Sequence, residues 1–131
     1  MIVLDTHIWL NWIIKGIASL PSGIASEIEN DGCVAVSAIS CFEVALLATR
    51  GTVKLEAPID RWIEEALGPS RVECLPVSCE IAQRSVALPL IHKDPSDRII
   101  IATALSHGAR LASLDSKFPL YGDLAGLLVS S

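Results

Sequence analysis

The sequence predicts an α/β protein, a doubly wound α/β/α sandwich around a mainly parallel sheet. Two observations carry that expectation. Short continuous apolar runs, the mark of strands buried on both faces, recur at Ile2–Leu4, Cys33–Val36, Val72–Val77 and Arg110–Leu114. Between them lie longer stretches whose apolar residues return at helical spacing, and strands alternating with helices imply parallel pairing with helices on both faces. All 131 residues are read as one domain, because the chain is long enough to bury a real core and shows no internal repeat, low-complexity run or linker.

The first run, Ile2–Leu4, is followed by Asp5 and Thr6, which places Asp5 at the carboxyl end of a buried strand. Ile8, Trp9, Trp12 and Ile13 then share a helical stripe, with Thr6 as cap and Gly16 as stop. Trp9 and Trp12 suit either the core or an interface. A second helix covers Ser22–Glu29, and Asn30-Asp31-Gly32 is a turn into the strand Cys33–Val36. Ser40 and Glu43 have the spacing of a capping box at the head of a helix that ends near Gly51. In Ala57–Leu67 the residues Ile59, Trp62, Ile63, Ala66 and Leu67 form one apolar stripe, and Gly68-Pro69 closes the helix. Val72–Val77 is the third strand, with Pro76 marking its end, and Ser78 caps a helix to Ala87.

The next helix is the one on which the candidate site depends. Asp94 is a good N-cap, Pro95 fits the first helical position, and Asp97 falls where a side chain can reach back to the cap's free N–H. Ile100, Ile101, Ala104 and Leu105 bury one face and hold the helix to its end near His107-Gly108. Arg110–Leu114 is the fourth strand and delivers Asp115. The tail holds a short helix and a last strand at Leu127–Val129.

Composition narrows the classes of function. Apolar residues make up 51% of the chain and mean hydropathy is +0.51, high enough that some apolar surface is expected to be covered by another chain. Together with Trp9, Trp12 and Trp62 this predicts a homodimer. No membrane association is expected, since the longest greasy stretch, Cys33–Ala48, is broken by Ser37, Ser40 and Glu43 and falls short of the ~20 apolar residues of a span. The N-terminal stretch lacks a basic start and is interrupted by Asp5, so it does not read as a signal peptide, and a cytoplasmic location is expected. Cys33, Cys41, Cys74 and Cys79 have no zinc-like spacing and are read as reduced core thiols. A formal charge of −5 argues against a protein that coats nucleic acid non-specifically. His7, His92 and His107 share no spacing and are read as surface or capping residues rather than general bases.

Topology brings the acids together. In a parallel sheet of this kind ligands sit at the carboxyl edge of the strands. Asp5 and Asp115 end strands there, Glu43 follows the second strand, and Asp97 opens the helix that feeds the fourth. Four carboxylates on one rim repel unless a cation or shared protons offset them. With hydroxyls from Thr6, Ser37 or Ser113 nearby, such a site suits Mg²⁺ or Mn²⁺ rather than zinc. These ions commonly serve phosphodiester cleavage.

The residues also carry a resemblance. Val3-Leu4-Asp5-Thr6, Ser37-Ala38-Ile39-Ser40 leading to Glu43, Asp94-Pro95-Ser96-Asp97-Arg98 with Ala102-Thr103-Ala104, and Leu111-Ala112-Ser113-Leu114-Asp115 resemble, in order and over nearly the whole chain, the acidic blocks of PIN-domain ribonucleases. The chain is most similar to the VapC-type toxins of toxin–antitoxin pairs. The resemblance implies a metal-dependent endoribonuclease acting on RNA, a homodimer and inhibition by a cognate antitoxin. It places Asp5, Glu43, Asp97 and Asp115 on the acidic positions, with Asp94 competing with Asp115 for the last of them while serving mainly as a cap. Thr6 and Ser113 match supporting hydroxyl positions, and Arg98 either contacts RNA or braces the acids. Two rival readings are a catalytically silent binding domain of the same fold and a phosphatase using Asp5 as nucleophile. The second would want another Asp two residues on, where His7 stands.

Overall fold

The computed structural model describes residues 1–131. Its centre is a five-stranded, all-parallel sheet of β1 (Ile2–Leu4), β2 (Val34–Ser37), β3 (Val72–Leu75), β4 (Arg110–Ala112) and β5 (Leu128–Val129), in the order β3-β2-β1-β4-β5. Six helices accompany it: α1 (Thr6–Lys15), α2 (Ser22–Asn30), α3 (Ala38–Thr49), α4 (Ile59–Leu67), α5 (Cys79–Ala87) and α6 (Pro95–Ser106).

The alternation of side chains along β1 explains the layers. Ile2 and Leu4 point to one side, where they pack with Ile8, Trp9, Ile24, Val44 and Trp62; Val3 points to the other, against Ile100, Ile101, Leu111 and Phe118. Two apolar cores therefore sandwich the sheet, and the expected α/β/α architecture is what the chain adopts. Trp9 is fully buried and meets Trp62 edge to face at 5.3 Å, so two of the three tryptophans are spent inside the chain rather than at an interface.

The strand order places the site. From central β1 the chain moves outward through β2 to β3, then returns to lay β4 and β5 on the other side. The order reverses between β1 and β4, and the crevice at that reversal opens at the carboxyl ends of the strands.

Several helix starts differ from the sequence reading. Asp5, not Thr6, caps α1, accepting from the Ile8 N–H at 2.9 Å. Ser37 caps α3 by accepting from Ile39 N–H, so Ser40 and Glu43 lie inside the helix and form no capping box. The S-x-x-E spacing is present, but Ser37, the last residue of β2, ends the extended backbone and caps the helix first. α4 begins at Ile59 behind Pro58 rather than at Ala57. β3 stops at Leu75, before Pro76 removes a donor from the ladder, and β4 stops at Ala112. The tail forms two short 3₁₀ turns, Phe118–Leu120 and Gly122–Leu124, in place of a helix. None of the cysteines is fully buried: Cys74 and Cys79 are exposed, Cys33 and Cys41 half-buried, and all four are free thiols.

Candidate active site

At the reversal of the strand order lies a cleft of about 320 Å³, walled by Asp5, Glu43, Asp94, Asp97 and Asp115 together with His7 and Asn11 on α1. A larger open hollow of about 510 Å³ beside α2 gathers no comparable set of acids, with Glu29 its one charged side chain. Each acid arrives on a different element for a local reason. Asp5 ends β1, and its N–H donates to Ala112 O at 3.0 Å, which ties it to β4. Glu43 lies in the second turn of α3, Asp97 in the first turn of α6 and Asp115 in the loop after β4. Carboxylate oxygens of Glu43, Asp94 and Asp97 all lie within 4.8 Å of one another.

The supporting residues divide into those that touch the acids and those that do not. Thr6 Oγ1 donates to Glu43 Oε1 at 2.5 Å and also meets Ser40 Oγ at 2.9 Å, which fixes Glu43 toward β1. Ser113 bonds to the Asp5 carboxylate and accepts from Asp115 N–H at 3.1 Å. Ser37 is fully buried and spends its oxygen on the α3 cap, outside the cleft. Asp94 caps α6 by accepting from Ser96 N–H and still faces the cleft.

Two residues have roles the sequence reading did not give them. Arg98 neither braces the acids nor faces the cleft. It is buried and donates to four main-chain carbonyls, those of Val86, Leu88, Pro89 and His92, at 2.8–3.2 Å. His92 is buried rather than a surface residue, and its Nε2 meets Asp115 Oδ2 at 2.9 Å and Asp97 Oδ2 at 3.1 Å. It also displaces Asp97 from the expected capping box, since Asp94 N–H donates to His92 Nδ1. The only available signal was position: a histidine two residues ahead of an N-cap is within reach of the cap's free N–H.

The electrostatics follow from burial and crowding. Burial pushes the Asp5 carboxyl above the usual range, against the pull of the Ser113 hydroxyl and the Ile8 N–H. Burial likewise raises Glu43, opposed by the Thr6 hydroxyl and helped by the charge of Asp94. Asp97 is pushed up to about 7 by burial and by Asp94, with His92 pulling the other way. At Asp115 burial acts upward too, but hydrogen bonds from His92 and from Lys117 N–H outweigh it and the group ends below its ordinary value. A cleft crowded with carboxylate oxygens, with Asp5, Glu43 and Asp97 holding protons more tightly than usual, has the chemistry of a seat for a hard divalent cation.

Comparison with known proteins agrees with this geometry. The PIN domain family model matches residues 2–124. The chain is 33% identical over 117 residues, 88% of each sequence, to Ribonuclease VapC22 of Mycobacterium tuberculosis. Its fold is similar to VapBC2 from Rickettsia felis, solved with a DNA fragment of its promoter, with a TM-score of 0.69 and 21% identity over 98% of both chains. A toxin–antitoxin complex from Klebsiella pneumoniae matches with a TM-score of 0.64 and 26% identity, covering 98% of this chain and 96% of that one. With the acidic blocks on one cleft at the strand reversal and the family model spanning nearly its whole length, the chain belongs to the PIN-domain family.

Proposed function

We propose that this chain is a metal-dependent endoribonuclease, the toxin of a VapBC-type toxin–antitoxin pair, which hydrolyses RNA phosphodiester bonds with Mg²⁺ or Mn²⁺. The observation that carries the reading is the convergence of Asp5, Glu43, Asp94, Asp97 and Asp115 on one cleft. Likeness to a ribonuclease at 33% identity supports the same chemistry. Asp5, Glu43, Asp97 and Asp115 would hold the ion, with Asp94 at the rim. Bound there, the ion would lower the pKa of a water and offset charge on the phosphate. The protein's own part is placement. Thr6 aims Glu43, Ser113 and the Ile8 N–H hold Asp5, and Lys117 N–H with His92 hold Asp115.

The same cleft suits inhibition by a partner. Crowded carboxylates accept a guanidinium in a fixed two-pronged geometry, so an antitoxin segment that inserts an Arg at the rim would both block RNA and relieve repulsion. A homodimer and a cytoplasmic location complete the reading; no helix is long and apolar enough to cross a membrane. Incubating the purified protein with total RNA, with and without Mg²⁺, tests it. New ends that appear only with metal are expected. Intact RNA in the presence of bound metal would favour the silent binding domain instead.

A further inference from the structure

We infer that His92 is a positioning residue of this site, an Nε2–H donor that holds Asp115 beside Asp97 in the cleft and does not itself bind metal. The inference rests on the nuclease reading above and goes one step past it. Its ground is that every polar atom of His92 is committed. The main-chain N–H donates to Tyr121 Oη at 2.8 Å, the carbonyl accepts from Arg98, and the ring stands edge-on to Phe118 at 5.9 Å. The backbone and the ring plane are therefore both fixed.

Nδ1 decides between donor and ligand. His92, Asp97 and Asp115 offer atoms within 4.8 Å of one another, as a two-carboxylate, one-imidazole metal site would. A histidine that binds metal through Nε2 carries its proton on Nδ1 and donates it to a fixed acceptor. Here Nδ1 faces a donor, the Asp94 N–H at 3.3 Å, so Nδ1 carries a lone pair and the proton sits on Nε2. That proton points at Asp115 Oδ2, 2.9 Å away, while Asp97 Oδ2 lies 3.1 Å from the same nitrogen. Asp115 is the acid with the least support from regular structure, lying in the loop beyond β4, and its other oxygen is held only by Lys117 N–H. His92 thus takes the place of an element that the topology does not supply.

Magnesium affinity, read from the metal-induced rise in melting temperature and from the concentration giving half-maximal cleavage, tests the assignment. Replacing a residue that orients a ligand lowers metal affinity about 10–100-fold, so H92L should need that much more Mg²⁺. H92Q, which keeps an N–H donor, should recover most of the loss. In a D115N background H92L should add much less, because most of its effect runs through Asp115. ¹⁵N NMR should show the Nε2–H tautomer with and without Mg²⁺. Wild-type affinity in H92L, an undiminished H92L effect beside D115N, or a metal-bound Nε2 would each overturn the inference. The melting readout needs no RNA, so bound metal with uncut RNA refutes the nuclease reading, whereas cut RNA with unchanged affinity in H92L refutes this one.

Discussion

The cleft acids differ in how tightly they hold protons, and that difference is measurable residue by residue. Burial and Asp94 raise the metal-free Asp97 to about 7 from an ordinary 3.8. A carboxyl that binds its proton more tightly when folded stabilises the fold fully below its ordinary pKa and loses that contribution as pH rises through the folded value. The metal-free protein should therefore weaken between about pH 4 and pH 7, and Asp97→Asn should flatten that slope and match or exceed wild type near pH 8. Urea titrations over a pH series decide it; parallel profiles for the two proteins would show that Asp97 titrates as an ordinary acid. At Asp5 the charge and the cap can be separated. Asp5→Asn keeps an acceptor for the Ile8 N–H, so it should abolish metal-dependent cleavage while the metal-free protein is as stable as wild type or about 1 kcal/mol more so. Asp5→Ala loses the cap too and should cost ~1 kcal/mol. Magnesium should raise the melting temperature of wild type more than that of either variant.

At the scale of elements, α6 and the loop before it act as one piece because Arg98 clamps that loop. Arg98→Met leaves the carbonyls of Val86, Leu88 and His92 without their donor, that of Pro89 keeping only the Ile91 N–H, and should lower stability by at least about 3 kcal/mol in urea unfolding. Arg98→Lys should rescue little, since a point ammonium cannot span four acceptors as a planar guanidinium does. Near-wild-type unfolding of Arg98→Lys would show that the clamp is not needed. The alternation of strands and helices, and the Asp94-Pro95 start of α6, were legible in the sequence because apolar period and cap chemistry are local. The partners of Arg98 were not, because they are main-chain carbonyls, which every residue carries and no side-chain pattern marks. His92 escaped for a related reason: its partners, Asp97 and Asp115, lie at separations set by the tertiary fold rather than by any helical or strand repeat.

At the scale of the molecule, the four acids were readable as a set only because the parallel topology was, since a parallel sheet sends every strand's carboxyl end to one edge. The apolar excess was readable as well, but not where it goes. Trp9 and Trp62 are consumed by the core, whereas Val86 (79% exposed), Leu90 (81%) and Leu120 (64%) remain at the surface. If these cover one another in a second copy, light scattering at micromolar concentration should give the mass of two chains, and V86E combined with L90E should reduce it to one with an unchanged circular dichroism spectrum. A single-chain mass for the wild type would place the excess elsewhere.

The pairing of β1 with β4 joins residues far apart in the sequence, Val3 opposite Leu111. A polypeptide still on the ribosome, with β4 inside the exit tunnel, holds Asp5, Glu43 and Asp97 but has neither Ala112 to fix Asp5 nor Asp115 to close the cleft. Such a chain has no assembled site, so no cut can precede the docking of β4 on β1. Arrested nascent chains ending before Arg110 should leave RNA intact under conditions in which the released protein cuts it.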